Sequence, residues 1–279
     1  MYKGFAVKQP GYSHKEKEIP CQDAAAYELG DSYAIAAASD GHGGEKYFRS
    51  DVGSDIAVTV ALRCLKDFIE KREEESLTLY ELNHLASRII AAWHGEIEKH
   101  FTESPLTEKE KEICDKYGIS ADVFQTSFYG ATLLYACMTP DHCFASQIGD
   151  GASVFLKPDG VVETPVATDA RLGFGLTTSL CDFDAAGNFR HFFAAAEDFA
   201  AIFLCTDGVV DSYDHASFLR FNRTIFEAMN ENEAFAKEQL AAWLPTLSER
   251  GSQDDVTMAG VYQSLMPGVT VLSHDDNDD

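Results

Sequence analysis

The feature that most constrains the fold of this chain is a change of hydrophobic period along its length. Val52, Ile56, Val60, Cys64 and Phe68 recur every four residues, with Ala57, Ala61 and Leu65 beside them, the spacing that lays one apolar stripe along an α-helix. A second stripe covers 79–100 through Leu82, Leu85, Ala86, Ile89, Ile90, Trp93 and Ile97, and a weaker third begins near Thr107 and closes at Gly118. Around this block lie short runs of strand-like content: 2–8, 23–29 and 32–39 before it, and 131–138, 143–149, 153–157, 161–164, 190–195 and 200–205 after it. Gly30-Asp31 joins the second and third runs as a hairpin signal. Helical spacing resumes over 216–230 and 233–247, and a final strand fits 256–262. A doubly wound parallel sheet alternates strand and helix one by one. This order instead predicts an α+β chain: two mostly antiparallel sheets with helices on their outer faces.

At 279 residues and 45% hydrophobic the chain can bury a sizeable core, and it has no internal repeat and no Pro/Gly/Ser-rich linker. One domain over 1–265 is expected, with a helical insertion at about 77–125 that carries no readable chemistry and an acidic, disordered tail at 266–279. Lys and Arg number 22 against 46 Asp and Glu, a net charge of −24, which repels nucleic acid and anionic lipid. The longest apolar runs, 56–62 and 199–205, fall well below the roughly 20 residues that span a bilayer. The opening MYKGFAVKQPG has no export leader, so the expectation is a cytoplasmic protein that binds neither nucleic acid nor membrane. The seven cysteines are odd in number, widely spaced and without a CxxC pair, which favours buried free thiols.

Asp-Gly occurs at Asp40, Asp150, Asp159 and Asp207. In LKPDGVVE the pair reads as a turn; in IAAASD, ASQIGD and IFLCTD the Asp ends an apolar run, so its carboxylate projects from the end of a buried strand. Asp254, in SQDDVTMAGVY, stands just before a strand. Carboxylates gathered at strand ends repel one another unless a cation lies between them. An oxygen-rich set without HExxH or CxxC points to Mg²⁺ or Mn²⁺ rather than zinc. In Ser39-Asp40-Gly41-His42-Gly43-Gly44, glycines allow close backbone approach and His42 adds a titratable proton donor two residues from Asp40.

These motifs, in order, resemble the metal-dependent protein serine/threonine phosphatases of type 2C, in the variant of a bacterial branch. The resemblance is carried by CQDA (21–24), DGHGG (40–44), GATLLYA (130–136), IGDG (148–151), CTDGVVD (205–211) and DDVT (254–257). It implies a four-layer α-β-β-α sandwich and two Mg²⁺ or Mn²⁺ ions bridged by Asp40. Gly41 would lend its carbonyl to the first ion, and Asp207 and Asp254 would complete the second. Asp23 and Asp211 would act through water, Asp150 would hold a weaker third ion, and His42 would be the general acid. The implied reaction is hydrolysis of phosphoserine or phosphothreonine in proteins. It implies a phosphorylated protein as substrate and a cognate serine/threonine kinase. Two cations about 3.5–4 Å apart can neutralise phosphate and activate water together. The chain departs from the family pattern at Glu18, where many members carry a phosphate-holding Arg, so that contact passes to His14 or a nearby Lys; Gly151 replaces a usual Ser, and Asp255 stands where many have Asn. The competing readings are a non-catalytic phosphatase-like module that binds a phosphorylated partner, and a two-metal nuclease, which the acidic surface disfavours.

Overall fold

The computed structural model describes residues 1–72, 76–169, 171 and 176–264. The tail expected at 266–279 and the Gly-rich stretch 172–175 lie outside the described residues. Two five-stranded antiparallel sheets form the centre. The first runs β1 (Tyr2–Gln9), β10 (Val256–Gln263), β9 (Ala201–Cys205), β6 (Ala152–Leu156), β7 (Val162–Glu163). The second runs β2 (Ala24–Leu29), β3 (Ala34–Ser39), β4 (Leu133–Met138), β5 (His142–Ile148), β8 (Arg190–Ala195). Helices α2 (Ser50–Glu70) and α3 (Leu79–Glu103) cover the second sheet, and α7 (His215–Glu231) and α8 (Glu233–Arg250) cover the first. The four-layer α+β sandwich expected from the order of patterns is therefore the observed fold.

Period-2 alternation assigns each strand face to a layer. Ala34, Ala36 and Ala38 of β3 point between the sheets, where they meet Leu134, Ala136, Phe155, Ile202, Leu204, Ala259 and Val261. Ile35 and Ala37 point the other way, towards Ala57, Ala61 and Leu65 of α2. On β9, Phe203 and Cys205 face the α7–α8 layer with Phe226 and Leu240. Strands buried on both faces read as continuous apolar runs, which is why β3, β4 and β9 have no polar alternation.

Helix boundaries follow local chemistry. Thr78 with Glu81, and Thr107 with Glu110, form reciprocal capping boxes at the starts of α3 and α4 (Glu108–Tyr117). Gly118 ends α4 in the left-handed conformation at φ 67°. Asp214 and Asn232 cap α7 and α8. Trp93 is fully buried and donates from Nε1 to Gly53 O at 2.9 Å. Trp243 lies on α8 but is 43% exposed, and its Nε1 donates to Tyr213 OH at 3.3 Å. Residues 79–103 pack as half of one outer helix layer, and α4 alone stands outside that pair. All seven cysteines are free thiols. Among the described residues no helix is long and apolar enough to cross a membrane.

Candidate active site

The strand registers bring five acidic segments to one edge of the sandwich. Ser39, the last residue of β3, pairs with Ala24, the first of β2; Leu133 opens β4 opposite Ile148, which closes β5. In the other sheet Cys205 closes β9 opposite both Met258 and Ala152, and Val256 opens β10 opposite Gln9. Asp23, Asp40, Asp150, Asp207 and Asp254 each lie within two residues of one of these strand ends.

Carboxylate oxygens of Asp40, Asp150 and Asp207 lie within 4.8 Å of one another. Asp40 is fixed by its backbone: its N–H donates to Thr132 Oγ1 at 3.0 Å and its carbonyl accepts from Thr132 N at 2.8 Å. Gly41 bridges Ala131, and a Cβ at Gly41 would lie 2.6 Å from Gln22 O and 2.7 Å from Ser50 O. Only a glycine fits there. Asp150 follows Gly149, whose φ of 109° turns β5 sharply into β6. Asp207 opens the short helix α6 (Asp207–Val210), and Asp211 closes it, its N–H donating to Asp207 O at 2.7 Å.

Asp23 is buried, accepts from Thr206 Oγ1 at 2.9 Å through Oδ2 and has no donor to Oδ1; its carboxyl group lies within hydrogen-bond reach of the Asp40 carboxyl. Asp150 Oδ1 is likewise buried and without a donor. Burial, and then the neighbouring carboxylates, push Asp207 up to about 8 and Asp23 up to about 7. The same two causes raise Asp40 well above the ordinary carboxylate range and raise Asp211. Asp254 is exposed; its charge acts on Asp40, Asp207 and Asp211. Buried acceptor oxygens facing one another without donors are a donor set for a hard divalent cation. The residues present therefore fit Mg²⁺ or Mn²⁺.

His42 sits at the rim of this cage. Its N–H donates to Gly130 O at 3.0 Å, its carbonyl accepts from Gln22 Nε2 at 3.3 Å, and its Nε2 is 2.7 Å from Ser179 Oγ. Burial lowers its pKa, opposed by the charges of Asp150 and Asp182. His14 is buried, its Nδ1 2.9 Å from Asp255 Oδ1. Lys15 and Lys17 are exposed.

Several contacts around the site are not visible in the sequence. Asp255 accepts from the N–H of Gly11 and of Gln22, both at 2.6 Å, as well as facing His14. Burial alone would raise its pKa, but these bonds outweigh it and the carboxylate is held below its ordinary value. Asp169 accepts from Thr178 N and Oγ1 at 2.9 and 2.6 Å, Thr178 Oγ1 accepts from Gly149 N at 3.0 Å, and Arg190 binds Gly149 O. The segment after β7 is thus tied to the Asp150 turn. Beside Asp150 and Asp211 opens a cleft of about 330 Å³, bordered by Thr168, Arg190 and His215.

Two antiparallel sheets thus carry an acidic cage at one strand edge, with His42 at its rim. The chain belongs to the protein phosphatase 2C family, whose model matches residues 10–245; its enzyme class is serine/threonine protein phosphatase. Similar solved structures include the serine/threonine phosphatase PstP/Ppp of Mycobacterium tuberculosis, at 15% identity and a TM-score of 0.56 over 95% of this chain and 99% of that one. The PstP catalytic domain in complex with two manganese ions aligns at 18% identity and 0.56 over 94% and 97%. A C. elegans sex-determining protein aligns at 14% identity and 0.62 over 93% of this chain and 64% of its own. No curated protein matches the chain.

Proposed function

We propose that the chain hydrolyses phosphoserine and phosphothreonine in proteins, in the cytoplasm, opposing a serine/threonine kinase, with Mg²⁺ or Mn²⁺ held in the acidic cage and His42 as general acid. The observation that carries this reading is the set of Asp40, Asp150 and Asp207 oxygens within 4.8 Å, with buried oxygens of Asp150 and of nearby Asp23 lacking any donor. Asp40, Asp207, Asp254 and the Gly41 carbonyl would hold two ions, Asp23 and Asp211 would act through water, and Asp150 would serve a third. Ions bound there would neutralise the phosphoryl oxygens and make water more acidic. The chain's own part is positional: Thr132 and Thr206 hold Asp40 and Asp23, and the Gly130 carbonyl fixes the backbone of His42. As water oxygen bonds to phosphorus and the ester P–O bond breaks, His42 gives its proton to the departing serine or threonine oxygen, a contribution of ~10²–10⁴-fold. His14 is the candidate for a phosphate contact, because its bond to Asp255 raises its pKa against the effect of burial and favours the cation. Residues 1–265 form the catalytic unit in this reading.

The test is Mn²⁺-dependent release of phosphate from a phosphoserine peptide. Asp40→Ala and Asp207→Ala should each reduce it to background, and EDTA should abolish it reversibly. Turnover that survives EDTA, or an unchanged Asp40→Ala rate, rules the reading out. Inactivity of the wild type with Mn²⁺ on all phosphopeptides, with binding retained, would transfer the case to a non-catalytic phosphopeptide module.

A further inference from the structure

The imidazole of His42 is held on three sides. Tyr47 stands edge-on to it with ring centroids 4.8 Å apart, and Gly130 leaves the space in which a Cβ would lie 2.7 Å from His42 Cδ2. The third contact is Ser179, 3% exposed, whose Oγ is 2.7 Å from Nε2.

The Ser179 hydroxyl has a single proton and several neighbours. Ala131 O, at 3.1 Å, can only accept it, while the Cys181 N–H, at 3.4 Å, can only donate to Oγ. Cys181 Sγ, at 3.2 Å, is a weak competitor for the same proton. With its proton on Ala131 O, Ser179 presents a lone pair to Nε2, and Nε2 therefore carries hydrogen. His42 Nδ1 has no hydrogen-bond partner among the described residues and is not buried. It is the ring nitrogen that a substrate can reach.

We propose that Ser179 is a positioning residue that pins His42 through Nε2–H and aims Nδ1 at the leaving-group oxygen. This rests on His42 acting as general acid. The Nδ1 proton passes to the serine or threonine oxygen as the P–O bond breaks, leaving the alcohol, inorganic phosphate and a neutral imidazole that keeps its Nε2 hydrogen on Ser179. Nδ1 then regains a proton from solvent. A serine alkoxide needs that proton, whereas p-nitrophenolate leaves without one. Misplacing a reacting group lowers the first rate and spares the second.

The experiment compares Ser179→Ala, His42→Ala and wild type on a phosphoserine peptide and on p-nitrophenyl phosphate, with Mn²⁺ affinity measured by calorimetry. Ser179→Ala should lower kcat on the peptide roughly 10- to 100-fold and change kcat on the aryl ester less than about 2-fold, with KM and Mn²⁺ affinity unchanged. His42→Ala should show the same selectivity, more strongly. Selective loss in His42→Ala but equal loss, or no loss, on both substrates in Ser179→Ala overturns the inference and leaves the general-acid reading standing. No selectivity in His42→Ala overturns both. ¹⁵N-histidine spectra of the wild-type protein read the ring directly, whatever the variants do: hydrogen on Nε2 is expected at neutral pH, and a neutral ring carrying hydrogen on Nδ1 overturns the inference.

Discussion

Asp255 ties its own strand end to two places near the start of the chain, the turn at 11–14 and Gln22, receiving Gly11 N, Gln22 N and His14 Nδ1 on one buried carboxylate. Its neighbour Asp254 is exposed and acts on Asp40 and Asp207 only through its charge, so two adjacent carboxylates have opposite surroundings. Asp255→Ala strands two N–H groups, and hydrogen bonds to charged groups are worth about 1.5–3 kcal/mol each. Urea unfolding should register a loss of about 3–6 kcal/mol, with Mn²⁺-dependent activity falling as the Asp23 segment loosens. Gly208→Ala is a second test at this scale: its Cβ would collide with the Asp255 carbonyl, so the folded yield or the melting temperature should drop. The acidic residues of the site were legible because each ends an apolar run or sits in a short ordered motif. Ser179 and the role of Asp255 were not, since 137 residues separate Ser179 from His42 and 244 and 233 separate Asp255 from Gly11 and Gln22; no local pattern encodes a contact across such distances.

At the scale of elements, periodicity was the dependable signal. Helices α2, α3, α7 and α8 and every strand appear where their spacing places them, shifted by a few residues at their ends. The short helices α1 (Tyr12–Glu16), α5 (Ala185–Asn188) and α6 were missed, because five or four residues cannot display a 3.6-residue period. The insertion helix α4 gave no chemical signal either, yet it is clamped to the loop that follows His42. Arg49, 6% exposed, donates to Glu110 Oε1 at 2.7 Å and Oε2 at 3.2 Å, and to Tyr129 OH at 3.0 Å; Lys116 and Tyr117 both reach Glu45. Tyr129 also lies 2.8 Å from His100 Nδ1 and directly precedes Gly130, on which His42 rests. Removing one member of a buried pair leaves the other charge uncompensated, at a cost of about 3–5 kcal/mol. Glu110→Ala should therefore destabilise by that order in denaturant titration. Hydrogen exchange should rise over α4 and over 126–130 before it rises in the sheets.

For the molecule as a whole, the cage should make stability depend on pH and on any cation it holds. Asp23 and Asp207, near 7 and 8 when folded, bind protons that the unfolded chain has already released at ordinary carboxylate values. Between those limits the native state holds more protons, so the stability of the metal-free protein falls as pH rises from about 4 to 8. Calorimetry in EDTA should give a lower melting temperature at pH 8.0 than at pH 5.5, with Mn²⁺ raising it by more at pH 8.0. A flat or rising metal-free profile would count against a crowded cage.

The pairing of β1 with β10, from Tyr2 opposite Gln263 to Gln9 opposite Val256, closes the first sheet with the two most distant stretches of described chain. During synthesis the opening strand must wait, its edge bare, for more than two hundred residues to emerge before its neighbour arrives. Asp254 and Asp255 emerge with that neighbour. A nascent copy that has not yet extruded β10 thus has an unfinished first sheet and lacks both of these carboxylates.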